Sequence, residues 1–126
     1  MRSTHLPAIL ALMPTEVQNG IREVNKLTSA GSQSATINTT ADKLFLLSEI
    51  EIFGSVSYSK SGEGTQYDYY KAGNSKVKNY NGSASDWWER SPNGSSSAFF
   101  CFVHGYGGAN YGGASYAYGV AFGFCF

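Results

Sequence analysis

Charge is scarce in this chain. Lysine, arginine, aspartate and glutamate make up 14% of its 126 residues and cancel to a formal net charge of zero. Proteins that grip nucleic acid neutralise phosphates with clustered Lys and Arg; no such patch is visible, so no nucleic-acid partner is expected. Apolar runs are also short. Leu6–Met13 is interrupted by Pro7 and is far below the length that crosses a bilayer, so no membrane insertion is expected. Nor does that run read as a signal peptide, because one Arg precedes it and no small-residue cleavage pattern follows. Export would then use another route, or the chain would belong to a longer assembly. The two histidines, His5 and His104, lie far apart, and no Cys or His grouping has metal-ligand spacing. No cofactor is expected. The two cysteines, Cys101 and Cys125, sit in aromatic runs, which favours reduced, buried thiols. A hairpin centred near Gly113 would set them opposite one another, so a disulfide stays open.

Aromatic residues and glycine are plentiful: 15% of the chain is Phe, Trp or Tyr, and there are 15 glycines. They concentrate in the last third. Ser97–His104 and Ser115–Phe126 are aromatic-rich runs around a glycine-rich tip, Gly105–Gly113, which predicts a two-stranded antiparallel unit with a broad exposed end. Alternation puts Phe100, Phe102 and His104 on one face of the first strand and Cys101 and Val103 on the other. In the second, Val120, Phe122, Phe124 and Phe126 share a face. Tyr, Ser, Gly and Asn with almost no charge make an adaptable contact surface, because tyrosine offers area with few rotors while glycine lets the backbone conform. The plainer reading is a turn region whose tyrosines cover a core edge.

Elsewhere the signals are local. Apolar spacing predicts a short helix before Met13 and a longer one from Pro14 to about Lys26, through Val17, Ile21, Val24 and Leu27. Thr28–Thr40 reads as a polar loop, and Asp42–Leu47 as a short buried strand. Ser48 with Glu51 three residues on fits a capping box, and Gly54 ends the turn it starts. Val56–Tyr80 is long and polar, with Tyr58, Tyr67, Tyr69 and Tyr70 either bordering the terminal surface or packing on the core. Arg90, in Trp87–Pro92, predicts a buried guanidinium clamp on backbone carbonyls or on Glu89, with substrate recognition as the alternative.

Taken together, Phe45–Gly54 (FLLSEIEIFG), Trp87–Pro92 (WWERSP) and Tyr118–Phe126 (YGVAFGFCF) resemble a phage- and prophage-associated bacterial domain family of unknown function. That family carries a WW-x-RSP motif and a terminal GV-x-PAF-like strand. It is similar in turn to the C-type-lectin-like fold of formylglycine-generating-enzyme-like domains and of the variable proteins of diversity-generating retroelements. The likeness runs from about Leu6 to the end. It implies an α+β, C-type-lectin-like fold: small antiparallel sheets, one or two N-terminal helices and long irregular loops. It implies a single domain over 1–126 that lacks an N-terminal segment of the full family domain, with 97–126 as a candidate variable region.

In such retroelement systems variation is targeted to adenines and yields Tyr, Ser, Gly, His, Phe, Ala and Asp, among others. Phe102, His104, Tyr106, Asn110, Tyr111, Tyr116 and Tyr118 fit that set and are the expected ligand-binding residues. Gly105, Gly108, Gly112 and Gly113 fit it as well. Cys101, Val103, Ala109, Ala114, Gly119, Val120 and Phe122 would be the frame. The implied function is a non-catalytic receptor-recognition module on a phage tail or bacterial surface. It would bind a protein or glycan on a host or other cell, as a trimer or a monomer. Two alternatives remain: a structural tail component, and a calcium-dependent sugar-binding lectin. The latter needs clustered oxygen ligands, and Asn110 lies apart from Glu63 and Asp68. Catalysis is not expected, since no Ser-His-Asp set or paired carboxylates stand out and only His104 lies near a thiol.

Overall fold

The computed structural model describes residues 1–126 and is α+β. Helices α1 (His5–Ala11) and α2 (Thr15–Gly20) lead into a hairpin of β1 (Val24–Ser29) and β2 (Ile37–Asp42). Then come β3 (Phe45–Leu46), α3 (Glu49–Phe53), α4 (Asp68–Lys71), and a small hairpin of β4 (Lys78–Tyr80) and β5 (Ser83–Ser85). The last third holds β6 (Trp87–Pro92), β7 (Phe99–Val103), β8 (Ala109–Gly113), β9 (Gly119–Val120) and β10 (Phe122–Gly123). The main sheet has the order β8-β7-β6-β9, antiparallel except for the parallel pair β6–β9. None of the helices is long and apolar enough to cross a membrane.

Strand β6 separates two cores. Its residues alternate: Trp87, Glu89 and Ser91 are buried on one face, while Trp88, Arg90 and Pro92 are half-buried on the other. Trp87 joins Ile52, Tyr70 and Val103 beneath α3 and α4. On the opposite side Trp88, Val120 and Phe122 pack against Leu6, Ile21, Leu44 and Leu46, a cluster covered by the apolar stripe Ile9, Leu10 and Met13. The capping box expected at Ser48 forms: its hydroxyl accepts the Glu51 N–H, and the Glu51 carboxylate accepts the Ser48 N–H. Gly54 closes the helix in the left-handed conformation, φ 75°, as glycine allows.

Three expectations need correction. The helix predicted from Pro14 to Lys26 ends at Gly20, and Ile21 is already extended. Val24 and Leu27 have helical spacing by coincidence. In strand β1 it is Lys26 that turns inward, its ammonium bonded to Glu51 and to the Tyr67 hydroxyl and lying 4.3 Å from the centre of the Phe45 ring. Thr28–Thr40 is not one polar loop, because Ser29 pairs with Ile37 and Thr28 with Asn38 in the hairpin. The two terminal aromatic runs do not pair with each other. Phe99–Val103 pairs instead with Ala109–Gly113, so the turn is at His104–Gly108. Phe122 and Gly123 pair with β3.

The same shift of register removes the geometric case for a disulfide. Tyr111, not Cys125, lies opposite Cys101, and Cys125 bridges to Arg22. Both thiols are free, Cys101 buried and Cys125 exposed.

The region Val56–Tyr80 is tied down by carboxylates. Glu49 accepts the backbone N–H groups of Ser57, Tyr58 and Ser59 and the Ser59 hydroxyl. Glu63 accepts the Ser29 N–H at 2.7 Å and the Ser91 hydroxyl. Glu51 sits between Lys26 and Arg90 with its carboxyl held below the usual range, the two cations outweighing desolvation. Arg90 is the clamp the sequence suggested. It donates to the carbonyls of Leu27, Leu46 and Glu63. Its carboxylate partner is Glu51, not Glu89.

Candidate functional site

Pairing in β7 and β8 sorts the aromatic residues by face. Phe102 lies opposite Asn110 and Phe100 opposite Gly112, so these side chains share one side of the sheet with Trp88, which pairs with Phe102. Aromatic rings form a continuous ladder there. Tyr106 folds back onto His104 with ring centres 4.1 Å apart, and His104 lies 6.3 Å from Phe102. Phe102 meets Tyr118 at 4.5 Å, Tyr118 meets Trp88 at 4.7 Å, and Tyr116 stands edge-on to Tyr118 at 5.8 Å. Separations of 4.5–7 Å are those at which offset and edge-to-face pairs attract. Gly112 makes the ladder possible, since a Cβ there would come within 3.2 Å of both Phe102 and Tyr116.

The ladder has a buried middle and open ends. Phe102 is 4% exposed, whereas Tyr106 is 73% and Tyr116 is 57% exposed. Beside it runs a cleft of about 640 Å³ lined by Trp88, Phe100, Tyr116 and Tyr118, with Leu44 on its floor and the Arg2–Asp42 ion pair at its rim. Its volume lies in the range of small-molecule and peptide-anchor pockets. The Trp88 indole and the Tyr116 and Tyr118 hydroxyls all border the cleft, and none forms a hydrogen bond with another protein group. His104 Nδ1 lies 3.7 Å from Asp86 Oδ1, which in turn accepts the Gly105 N–H.

Tyr111 belongs to the other face. It lies opposite Cys101, and its ring contacts Tyr58 at 5.0 Å and Phe99 at 5.5 Å. These three border a shallower groove of about 290 Å³ with Asn93, Ser95 and Ser96. The seven expected ligand residues therefore divide. Phe102, His104, Tyr106, Tyr116 and Tyr118 form the ladder, Asn110 lies beside them, and Tyr111 stands behind the hairpin. Trp88, Tyr58 and Phe99 complete the two surfaces and were missing from that set. The alternation of Trp87 and Trp88 was the available signal for the first. Among the loop tyrosines Tyr58 borders the surface, while Tyr67 bonds Glu51 and Tyr70 is core.

No group of acidic, His or Cys side chains is arranged to hold a metal ion. The Cys101 thiol is pushed far above its ordinary range by burial and by the Glu89, Glu49 and Glu63 carboxylates, so it is not primed as a nucleophile.

A small α+β domain with an uncharged aromatic face is what fold and site define. Residues 8–125 match the family model described as a domain of unknown function (DUF6273), and the chain belongs to that family. No curated protein and no solved structure matches it.

Proposed function

We propose that this domain is a non-catalytic binding module that presents its aromatic ladder to a protein or glycan on a cell surface. The observation that carries the reading is the exposure of Tyr106 and Tyr116 at the two ends of a ladder whose middle, Phe102, is buried. Rigid amphipathic anchors on a fixed backing lose little entropy on contact and supply most of the energy at recognition surfaces.

In the finer form of this proposal the fold is C-type-lectin-like and the domain is the variable protein of a phage or prophage retroelement. It would be carried on a virion tail or a bacterial surface, with variation confined to its last third. Two features support such division of labour. The Tyr106 and Tyr116 side chains are exposed, so they can change at little cost to folding. Cys101 and Val103, on the preceding strand β7, are fully buried frame. Phe102 and Gly112 suit the frame as well, one being buried and the other sterically confined.

The test is binding of the domain to intact bacterial cells, with Tyr106→Ala and Tyr116→Ala alone and together. Loss of binding with an unchanged unfolding midpoint is expected. Binding that survives the double substitution overturns the reading.

A further inference from the structure

In the order β8-β7-β6-β9, strand β8 has a neighbour on one side only. Which of its backbone groups face outward follows from the ladder. The His104 N–H donates to the Gly108 carbonyl at 2.8 Å, and the Ala114 N–H to the Ala98 carbonyl at 3.1 Å. Bonded pairs in an antiparallel ladder recur at every second residue, and the β7–β8 register has no shift. The bonded positions of β8 are therefore Asn110 and Gly112. Ala109, Tyr111 and Gly113 turn their N–H and C=O groups away from β7. Within the domain Asn110 Oδ1 accepts the Tyr111 N–H at 2.8 Å, and the Gly113 carbonyl accepts the Tyr116 N–H at 3.0 Å. Both groups of Ala109, the Tyr111 carbonyl and the Gly113 N–H are left free.

Sheet edges are ordinarily blunted by lysine, proline, a bulge or a covering segment. The β8 sequence, Ala-Asn-Tyr-Gly-Gly, has no charge and no proline, and its ladder is regular. An added strand would send alternate side chains to opposite faces. On one face they would meet the Tyr116 ring, which lies against Gly112 and Gly113, and on the other the groove of Tyr58, Phe99 and Tyr111. The side chains that flank the edge, Tyr116 on one face and Tyr58, Asn93, Ser95, Ser96, Phe99 and Tyr111 on the other, carry no charge. A charged side chain would lose water there without gaining a partner.

We infer that the partner is an extended, uncharged segment of another protein, which adds to β8 as a further strand. It places an aromatic or aliphatic side chain against the Tyr116 ring and smaller polar ones in the opposite groove. Main-chain bonds supply affinity in such strand addition, and the flanking pockets supply selectivity. A glycan has no row of donors and acceptors at strand spacing and would not use this edge. The inference rests on the aromatic face being a binding surface and adds a backbone-directed component to it.

The experiment selects binders from a displayed library of random peptides of about ten residues, then measures affinity for the domain and for Ala109→Pro. Proline at an outward-facing edge position removes a free N–H without breaking the ladder, which an unchanged unfolding midpoint verifies. Selected peptides are expected to be poor in charge. They should lose at least about tenfold in affinity on Ala109→Pro, and lose binding when N-methylated at one set of alternate residues but not at the other. Failure to select any peptide, or peptides indifferent to Ala109→Pro, overturns the inference. Self-association through β8, seen as dimers in sedimentation that Ala109→Pro disperses, overturns it in favour of a second copy. Cell binding that needs Tyr106 and Tyr116 but ignores Ala109→Pro leaves the tyrosine face standing and removes the edge from it.

Discussion

Glu89 and Arg90 are consecutive on β6, and their side chains do not meet. The Arg90 guanidinium donates to the carbonyls of Leu27, Leu46 and Glu63 and to the Glu51 carboxylate. Both Glu89 oxygens are buried on the opposite face without a hydrogen-bond partner. Strand alternation sends neighbouring charges to opposite sides of the sheet, and here it gives one a full set of partners and the other none.

Arg90 links the β1–β2 hairpin, β3 and the Glu63 segment to β6. Removing it leaves Glu51 buried with Lys26 as its remaining cation and leaves those carbonyls unmet. Arg90→Ala is expected to destabilise the domain by about 3–5 kcal/mol, read as a lowered urea midpoint. Arg90→Lys should recover little, because a single ammonium cannot match the guanidinium fork.

The Glu89 carboxyl is raised well above its ordinary value by burial and by the neighbouring Glu49 and Glu63 carboxylates. Its folded pKa exceeds the unfolded one, so its contribution is complete below the unfolded value of 4.5 and is lost as pH rises toward the raised value. The slope within that window is at most about 1.4 kcal/mol per pH unit for one such group. Wild-type stability is expected to fall as pH rises above 4.5, and Glu89→Gln to flatten the decline. Glu63, also raised, leaves a residual slope of the same sign. Equal slopes for wild type and variant in urea titrations would contradict this.

Ladder positions should separate by burial. Phe102→Ala opens a cavity beneath the face and is expected to cost about 3–5 kcal/mol. Tyr106→Ala and Tyr116→Ala should stay within about 0.5 kcal/mol of wild type. Thermal unfolding of the three variants checks the order.

The thiols should differ sharply. Cys125 is expected to react with a thiol reagent in the native protein, and Cys101 only after denaturation. A thiol count of one before and two after adding denaturant is the outcome sought; no free thiol in either state would signify a bridge.

Features specified by neighbouring residues were legible in the sequence. The Ser48–Glu51 box and its Gly54 cap were, and so was the alternation of β7 that buries Cys101 and Val103. The Arg90 clamp was legible in kind, but its partners lie 27 and more positions away and no local pattern names them. The Pro14–Lys26 helix failed because Lys26 is drawn inward by Glu51 and the Phe45 and Tyr67 rings, contacts that outweigh periodicity in Val24 and Leu27. The aromatic site was legible in composition and not in arrangement. Which tyrosines share a face depends on whether the hairpin turns near Gly113 or at His104–Gly108. A change of partner strand moved Tyr111 behind the sheet and brought Tyr118 beside Trp88.

The ion-paired hub of Lys26, Glu51 and Arg90 includes no residue of the ladder. What holds this molecule upright thus lies apart from the rim tyrosines Tyr106 and Tyr116. Under the proposed function, altered tyrosines could come and go at the rim while the interior stayed as it was, with no need to relearn how to fold.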